Sequence, residues 1–286
     1  DPPETPIVGQ GRIARYARGK DYHTSIKARL HTLADRCRER WPDEQFRAVV
    51  DTAPIPEREF AARAGLGWAG KHTLLIHPKI GSWLAIGGLL TTMDLPSDTP
   101  TITDHCGTCT RCIDACPTNA ITPYSINGSR CISYLTIEHR SSIDPAFFSK
   151  MQDWVAGCDI CQEVCPHNSP RPGKNVGHRH PDHEPARQGF DLLDILGWDT
   201  KARSSALKGS ALKRIKLDQF RRNAVIAAGN AINQRGLPEL ALAIRAIADD
   251  PAEPEIVRSA ARAVLKQQAD QQRPSPEESS PRPEQA

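Results

Sequence analysis

The sequence has 286 residues, 38% of them hydrophobic and 25% charged, with a formal net charge of +3. A chain of this size and composition is typical of a globular protein with two or three domains. No apolar run approaches the ~18 residues needed to cross a bilayer, and residues 1–11 lack the basic and apolar segments of a secretory signal. We therefore expect a cytoplasmic protein that does not associate with membranes.

The N-terminal region begins with a predicted helix within residues 12–42, where apolar side chains recur at helical spacing. A cysteine in this helix is expected to pack as a small buried hydrophobic residue. The positions expected to face the core are Ile26, Leu30, Leu33, Ala34 and Cys37.

Strands and a second helix are predicted next. Residues 46–50 predict a strand that ends at Asp51, and residues 57–64 predict a helix. Residues 73–76 and 83–92 predict two further strands that pair with each other. This alternation is typical of an α/β or α+β module.

Asp51 is a candidate for acid–base chemistry in this module. It lies between a predicted strand and a proline-containing turn, where it is either a proton donor or a cap of the turn, and position alone favours the cap. Glycine-rich stretches that follow allow the backbone to approach a large ligand closely. Neither a G-x-G-x-x-G nor a Walker A pattern occurs, so a nucleotide site has little support.

The cysteines form two short runs, C-x2-C-x2-C-x3-C-P and C-x2-C-x3-C-P. The first run is the bacterial pattern for 4Fe–4S ligation, in which three thiolates hold one cluster and the fourth reaches the other. By the same logic, the last cysteine of the second run returns to the first cluster. The predicted ligands are Cys106, Cys109, Cys112 and Cys165 for one cluster, and Cys116, Cys158 and Cys161 for the other.

The eighth ligand is not supplied by these runs. A regular second run would begin three residues before Cys158, where Val155 stands, so the choice lies between Cys131 and Cys37. We assign Cys131, because it lies between the two runs. Structural zinc is the main alternative, but it usually requires two short cysteine pairs without a Cys-Pro ending. Disulfides are disfavoured because the number of cysteines is odd and nothing indicates secretion.

A polar segment rich in Pro, Gly and His follows Pro166 and is predicted to be a solvated linker rather than a metal site. Its histidines are His167, His178, His180 and His183. Residues 192–268 then have a helical pattern, with helices over 221–233, 237–249 and 255–267, and their spacing indicates HEAT-like repeats. Residues 269–286 have the composition of a disordered tail.

The region 200–222 has eight basic residues against one acidic residue. This local excess is either a phosphate-binding strip or an ordinary solvated helix face. The basic residues are Lys201, Arg203, Lys208, Lys213, Arg214, Lys216, Arg221 and Arg222.

Two buried clusters of this kind carry single electrons, which indicates a redox protein. Carrying electrons alone needs no more than about sixty residues, whereas more than 100 residues precede the cysteine runs and more than 100 follow them. We therefore expect an adjoining module that consumes the electrons.

Beyond the cysteines, several further motifs complete a resemblance to the epoxyqueuosine reductase family over roughly residues 12–265. The segments are 19–23 (GKDYH), 51–58 (DTAPIPER), 64–71 (AGLGWAGK), 221–224 (RRNA) and 229–230 (GN). The resemblance implies a cobalamin-dependent iron–sulfur enzyme, related to reductive dehalogenases, that reduces the epoxide of epoxyqueuosine in tRNA in the last step of queuosine synthesis.

The resemblance implies an α+β fold with four parts. These are a cobalamin-binding module over 1–98, a double 4Fe–4S ferredoxin-like domain over 99–175, a HEAT-like tRNA-binding domain over 190–268 and the tail over 269–286. Family members usually have an additional N-terminal segment, so we expect the cobalamin module to be incomplete in this chain.

The resemblance also implies the roles of individual residues. Electrons would pass through both clusters to cobalamin, and Asp51 would supply the proton that the opened epoxide needs. Such a role requires a raised pKa, so we expect Asp51 in a water-poor pocket. The implied corrin contacts are Arg15, Asp51, Trp68, Lys71, Thr73, Ser82 and Ser133.

The implied partners are a tRNA anticodon loop, held at its backbone by the basic strip with its modified base splayed out, and an external electron donor. We expect a monomer. Two alternative functions remain at this stage. A reductive dehalogenase-like enzyme acting on a small molecule would not need the basic helical domain, and a ferredoxin-like carrier would leave Asp51 without a purpose.

Overall fold

The computed structural model of the chain describes residues 7–98, 103–169 and 180–272. The strands are β1 (Gln10–Ile13), β2 (Phe46–Val49), β3 (Trp68–Ala69), β4 (Leu75–Ile76), β5 (Gly88–Thr91), β6 (Ile121–Thr122), β7 (Ser125–Ile126), β8 (Trp154–Ala156) and β9 (Gly189–Asp191). The α-helices are α1 (Tyr22–Arg40), α2 (Glu57–Arg63), α3 (Arg111–Asp114), α4 (Ile132–Ile137), α5 (Phe148–Met151), α6 (Ile160–Glu163), α7 (Leu192–Leu196), α8 (Thr200–Ala206), α9 (Leu217–Arg235), α10 (Pro238–Asp249) and α11 (Glu255–Gln271). Short 3₁₀ helices span Arg15–Ala17, Gly128–Arg130, Pro145–Phe147, Pro166–Asn168, Pro181–His183 and Ala211–Arg214.

A three-stranded sheet with the order β8-β1-β9 ties together three distant parts of the chain. Strand β1 runs parallel to β8 and antiparallel to β9. The prediction of helix at the start of 12–42 is wrong there, because Ile13 lies in β1 and Arg15 begins a 3₁₀ helix. Ile13 is fully buried and pairs with Ala156, so long-range strand pairing overrides the local pattern.

The N-terminal module packs α1 against the two-stranded sheet of β2 and β5. The predicted helix is confirmed over Tyr22–Arg40, although Leu33 is 48% exposed and Cys37 is half-buried. The strand predicted over 83–92 forms only at Gly88–Thr91. It pairs antiparallel with β2, whereas β4 pairs with β3, so the expected partnership between these strands is wrong.

Helix α9 is the centre of the C-terminal half and packs against α7, α10, α11 and β8. The helices predicted over 221–233, 237–249 and 255–267 are confirmed. At Gly229 the helices α9 and α11 approach so closely that a Cβ atom would lie 2.6 Å from Val264. Because α11 continues to Gln271, the start of the predicted disordered tail is helical, and residues 273–286 lie outside the described residues.

Two buried polar side chains of α9 join this helix to α4, to the residues that follow α4 and to β8. Arg222 is fully buried and donates to the carbonyl oxygens of Leu135 and His139, each at 2.8 Å, and of Ser141 at 2.5 Å. Asn223 donates to the carbonyl oxygens of Thr136 and Val155, both at 2.8 Å. These bonds satisfy carbonyls that the interior would otherwise leave unpaired.

In the polar segment after Pro166, His178 lies outside the described residues. The rings of His180 and His183 are 5.9 Å apart, and the ring of His167 packs edge-on against Trp68. Among the described helices, none combines the length and apolar character that crossing a bilayer demands.

Replacing Arg222 with Met should lower the free energy of unfolding by about 3 kcal/mol or more, because it removes a fully buried side chain that donates to three carbonyl oxygens. Urea unfolding of anaerobically prepared protein, followed by circular dichroism, measures the change. Arg245→Met, at an exposed position of α10, is the matched control and should leave the midpoint within error. Equal midpoints for the two variants would contradict the role given to Arg222.

Candidate active site and metal centres

Four cysteines surround one pocket between the two cysteine runs. Cys106, Cys109, Cys112 and Cys165 line a pocket of about 40 Å³ that is partly open to solvent. Helix α3 carries Cys112, and the Cys109 N–H donates to the Cys106 carbonyl at 2.9 Å, which turns the loop around the pocket. The structure therefore brings together the first predicted ligand set. We call these four residues the first cysteine group.

The other four predicted ligands form a second cysteine group of Cys116, Cys131, Cys158 and Cys161. Burial raises the pKa of Cys161 to about 12, and negative charge on Cys131 and Cys116 would raise it further. Burial likewise raises the pKa of Cys158, and both Cys161 and Cys131 contribute. Cys37 lies on α1 and belongs to neither group.

These thiols fit iron–sulfur clusters in both placement and chemistry. Burial raises the pKa of five of them, so these five need the positive charge of a bound metal to become thiolates. They are Cys106, Cys112, Cys158, Cys161 and Cys165. Within the described ranges no three His, Cys, Asp or Glu side chains converge tightly enough for a single metal ion. A four-iron cluster instead distributes its thiolates around its corners, as the wall of the first pocket does.

The hairpin of β3 and β4 holds the loop of the first cysteine group. The Lys71 ammonium donates to the carbonyl oxygens of Gly107 at 2.6 Å and Cys109 at 3.1 Å. Trp68 is 5% exposed and packs with Cys106 and Cys165. Two residues expected to contact a corrin ring thus lie beside the first cysteine group.

Asp51 follows β2 and has a positive φ of 50°, an uncommon conformation for a residue other than glycine. Its Oδ2 lies 2.9 Å from Nε2 of His23, and the other ring nitrogen of His23 lies 2.7 Å from Asp21. Asp21 also caps α1 by accepting the His23 backbone N–H. Tyr22 stacks on the His23 ring at 4.0 Å and donates a hydrogen bond to Asp51.

The electrostatics of Asp51 differ from the expectation. Partial burial raises its pKa, but hydrogen bonds from His23 and Tyr22 and the charge of His23 lower it more, so the net pKa lies below the usual value. The side chain is 45% exposed. The expectation of a water-poor pocket with a raised pKa is therefore wrong for this structure, because two donors stabilise the carboxylate.

A short chain of contacts leads from Asp51 to the second cysteine group. Tyr22, which donates to Asp51, packs edge-on against Tyr16 with ring centroids 5.8 Å apart, and Tyr16 follows Arg15 in the chain. Asp159 directly follows Cys158, and its Oδ2 accepts the Arg15 backbone N–H at 2.7 Å. Burial also raises the pKa of Asp159 to about 6, against the opposing effect of that hydrogen bond.

The remaining predicted corrin contacts are dispersed. The Arg15 guanidinium stacks over the Trp83 ring at 4.6 Å. Thr73 has a positive φ of 70°, and the Ser82 hydroxyl lies 2.9 Å from Gln162 Oε1. Ser133 lies in the first turn of α4, two residues after Cys131. The structure places Arg15 and Ser133 next to the second cysteine group and Asp51 near it, while Trp68 and Lys71 belong to the first.

The basic strip separates into structural arginines and exposed lysines. Besides the buried Arg222, Arg221 forms two hydrogen bonds of 2.6 Å with Glu253, and both side chains are largely buried. Arg203 donates to the carbonyl oxygens of Lys213 and Ile215, and Arg214 pairs with Glu138. Treating Arg221 and Arg222 as part of a phosphate-facing strip is therefore wrong.

Three lysines of the strip line an open depression beside α8, together with three hydroxyl side chains. Its residues are Thr200, Lys201, Ser204, Ser205, Lys208 and Lys213. We call this surface the lysine depression. Lys213 directly precedes Arg214, whose charge contributes to the lowered pKa of Asp51.

Sequence reasoning did not identify His23 and Tyr22 as partners of Asp51. The separation of 28 residues between His23 and Asp51 leaves no local spacing that would indicate a pair. The sequence indicated these two residues only through the segment 19–23, which is one of the motifs of the family resemblance.

Comparison with known proteins adds independent findings. A family model described as "Epoxyqueuosine reductase QueG, DUF1730" matches residues 1–52, and one described as "4Fe-4S double cluster binding domain" matches residues 105–168. The epoxyqueuosine reductase of Leadbetterella byssophila is 43% identical over 225 residues, which cover 77% of this chain and 72% of that protein. The epoxyqueuosine reductase of Synechococcus sp. strain CC9605 is 44% identical over 227 residues, which cover 78% of this chain and 69% of that protein.

Solved structures agree. The crystal structure of an epoxyqueuosine reductase with a tRNA-Tyr epoxyqueuosine-modified stem loop superposes with a TM-score of 0.80 at 29% identity, covering 97% of this chain and 75% of that one. The epoxyqueuosine reductase of Streptococcus thermophilus superposes with a TM-score of 0.71 at 27% identity, covering 94% of this chain and 78% of that one.

Replacing Cys131 with Ala should remove one cluster and leave the other. We expect the iron content of anaerobically reconstituted protein to fall from about eight to about four per chain, because the second cysteine group loses a ligand. Iron analysis and the electron paramagnetic resonance of the reduced protein measure this. Cys37→Ala is the matched control and should retain all the iron; loss of a cluster in that variant instead would overturn the assignment.

Proposed function

The chain belongs to the epoxyqueuosine reductase family, and we propose on this premise that it reduces the epoxide of epoxyqueuosine in tRNA to queuosine, the last step of queuosine biosynthesis. The observation that carries the proposal is the series of neighbouring residues from the second cysteine group to Asp51, through Asp159, Arg15, Tyr16 and Tyr22. An oxidoreductase of this kind needs an electron source and a proton source at one place, and this connection supplies both.

The two cysteine groups serve as a two-step electron path with one 4Fe–4S cluster in each. The pocket of the first group is partly open to solvent, and Asp159, directly after Cys158 of the second group, accepts the Arg15 backbone N–H. In this proposal, electrons from an external donor enter at the first group and leave from the second toward the Asp51 region. Removing the epoxide oxygen as water consumes two electrons and two protons. Each cluster carries one electron at a time, so the two electrons are delivered in succession.

We propose that cobalamin binds beside the second cysteine group. Tyr16, which follows Arg15, and Tyr134, which follows Ser133 in α4, each have 42% of their surface exposed. Of the predicted contacts, Arg15, Asp51 and Ser133 are the residues that would hold cobalamin at this place. Bound cobalamin would supply a strongly reducing metal centre for the epoxide.

Trp68 and Lys71 serve the first cysteine group in the present proposal, because their contacts are made there. Thr73 and Ser82 extend the cobalamin-binding surface only if it continues along the hairpin of β3 and β4. Residues 1–98 are the cobalamin-binding module in this proposal, and residues 99–175 are the ferredoxin-like domain.

Asp51 holds and delivers a proton to the substrate oxygen. Its lowered pKa means that it is ionised at neutral pH, so it must receive the proton before it can give it. His23 is placed for this transfer, because one ring nitrogen faces Asp51 and the other faces Asp21. Asp21 orients the ring and compensates the charge of the imidazolium form.

The tRNA backbone is held by the lysine depression of the helical region 190–268, for which we propose the HEAT-like arrangement. The depression offers three ammonium groups and three hydroxyls, which is a donor set for phosphates. Lys213 is followed by Arg214, whose charge contributes to the lowered pKa of Asp51. A backbone held there would present a splayed-out base of the anticodon loop to the site. We further propose that the protein acts as a monomer in the cytoplasm.

The proposed activity is tested by converting epoxyqueuosine-modified tRNA with anaerobically reconstituted protein, cobalamin and a chemical reductant. Asp51→Asn should lower turnover by about 10²–10⁴-fold, because the amide cannot supply the proton. Iron content, cobalamin uptake and tRNA affinity should remain at wild-type levels. Asp43→Asn, at an exposed position before β2, is the control and should be fully active. Full activity of Asp51→Asn would remove this residue from the mechanism.

Replacing Lys201, Lys208 and Lys213 together with Ala should weaken tRNA binding and reduce the slope of log affinity against log salt by about 2 to 3, because about one phosphate contact is lost with each lysine. Filter binding at several salt concentrations measures the slope. Lys266→Ala, at an exposed position of α11, is the control. A triple variant with the wild-type slope would show that the lysine depression does not bind the tRNA backbone.

A further inference from the structure

Two buried N–H groups beside the first cysteine group have no hydrogen-bond acceptor among the described residues. They are Nε2 of His72, which is 2% exposed, and Nε1 of Trp68, which is 5% exposed. An unpaired buried donor costs about 1–3 kcal/mol. Two such donors on one hairpin beside the same pocket indicate that an acceptor belongs in that pocket.

The orientation of His72 is fixed by its neighbours. Its Nδ1 accepts the Leu74 backbone N–H at 3.2 Å, so in the neutral ring the proton resides on Nε2. Burial lowers the pKa of His72 to about 4, which keeps the ring neutral. A Cβ atom on Gly70 would lie 3.1 Å from the ring carbon Cε1, so this edge of the ring is closely packed. The ring lines the pocket together with the four cysteines of the first group.

Trp68 approaches the same pocket from its cysteine side. Its ring packs with Cys106 and Cys165 and lies edge-on between His105 and His167, at 5.0 and 4.9 Å. The buried indole N–H thus belongs to a ring that packs against two of the four cysteines of the first group.

We propose that His72 donates its Nε2–H, and Trp68 its Nε1–H, to sulfur atoms of the cluster held by the first cysteine group, and that both thereby raise the reduction potential of this cluster. Reduction adds negative charge to the cluster, and a hydrogen bond to sulfur stabilises that charge. The consequence is that the cluster of the first cysteine group becomes easier to reduce and receives the electron from the external donor. His72 and Trp68 are positioning residues in this account, which rests on the proposed electron path.

The local contacts of His72 have a counterpart that makes a matched control. Nδ1 of His77 accepts the Lys79 backbone N–H at 3.1 Å, in the same two-residue pattern that His72 forms with Leu74. His77 is half-buried and does not line the pocket. Replacing either histidine with Phe removes the same backbone contact, but only at His72 is an N–H lost beside the cysteines.

The experiment is a redox titration of the full chain, reconstituted anaerobically with iron and sulfide, followed by electron paramagnetic resonance. The Cys131→Ala background isolates the cluster of the first cysteine group. His72→Phe and Trp68→Phe should each shift its midpoint potential to a more negative value. His72→Gln, which retains a donor, should shift it less, and His77→Phe should leave it unchanged.

An unchanged or more positive midpoint in both His72→Phe and Trp68→Phe, at full iron content, would overturn the proposal. If His72→Phe fails to assemble the cluster, His72→Gln and Trp68→Phe decide the question by the same measurement. The titration contains neither tRNA nor cobalamin. Its outcome is therefore independent of turnover, and a failure of the proposed enzyme activity would not be mistaken for a failure of this inference.

Discussion

Eight sulfur atoms from separate parts of the chain must meet around two centres, and the rest of the structure depends on this constraint. In the proposed ligand set, Cys116 leaves the first run to join the second group, while Cys165 of the second run lines the pocket of the first group. The two runs would then interlock, and α3 packs against α6. The position where a regular second run would carry a cysteine is occupied by Val155, which is fully buried in β8 and lies close to Gly11 of β1. That position is used for packing the sheet, and we propose that Cys131 supplies the missing sulfur from the N-terminus of α4.

The proton side of the site is governed by hydrogen bonds more than by burial. Burial alone would raise the pKa of Asp51 and favour the protonated acid. His23 and Tyr22 reverse that effect by stabilising the carboxylate. In the proposed mechanism such a carboxylate is ionised before the reaction, so its proton must arrive with each turnover. The contacts of His23 with both Asp51 and Asp21 place an imidazole ring where it would supply that proton.

The two cysteine runs could be recognised from the sequence, because short spacings between ligands are fixed by the geometry of the cluster itself. It also carries the long helices α9, α10 and α11, whose apolar spacing persists over several turns. Strand β1 could not be predicted in this way. Its partners β8 and β9 lie more than 140 residues away, and four residues contain too little periodicity to reveal a strand. The partner of β5 was predicted wrongly because this strand is also too short for its pattern to reveal a partner.

Side-chain partners were also beyond the reach of the sequence. Charge is visible in a sequence, but whether an arginine faces water or a buried carbonyl is decided by packing. Arg221 and Arg222 read as part of a basic strip, yet both are satisfied within the protein. His72 gave no signal at all, because a single histidine in a turn is unremarkable until its ring nitrogens are assigned partners.

The division between arginines and lysines has a mechanical consequence. A guanidinium group has five donors in a rigid plane, so it can join several carbonyls, whereas an ammonium group remains hydrated on a flexible stem. Arg222 and Asn223 of α9 bind carbonyls of α4 and of the segment that follows it. Helix α4 begins directly after Cys131, so α9 holds the backbone that presents this sulfur. Arg203, near the lysine depression, binds the carbonyls of Lys213 and Ile215 just before α9. The lysine depression, which we propose binds phosphates, is thus connected to the second cysteine group by hydrogen bonds through α9 and the residues just before it. A tRNA held by the lysines would then have a fixed position relative to the source of electrons, which is the condition for efficient transfer to a single base.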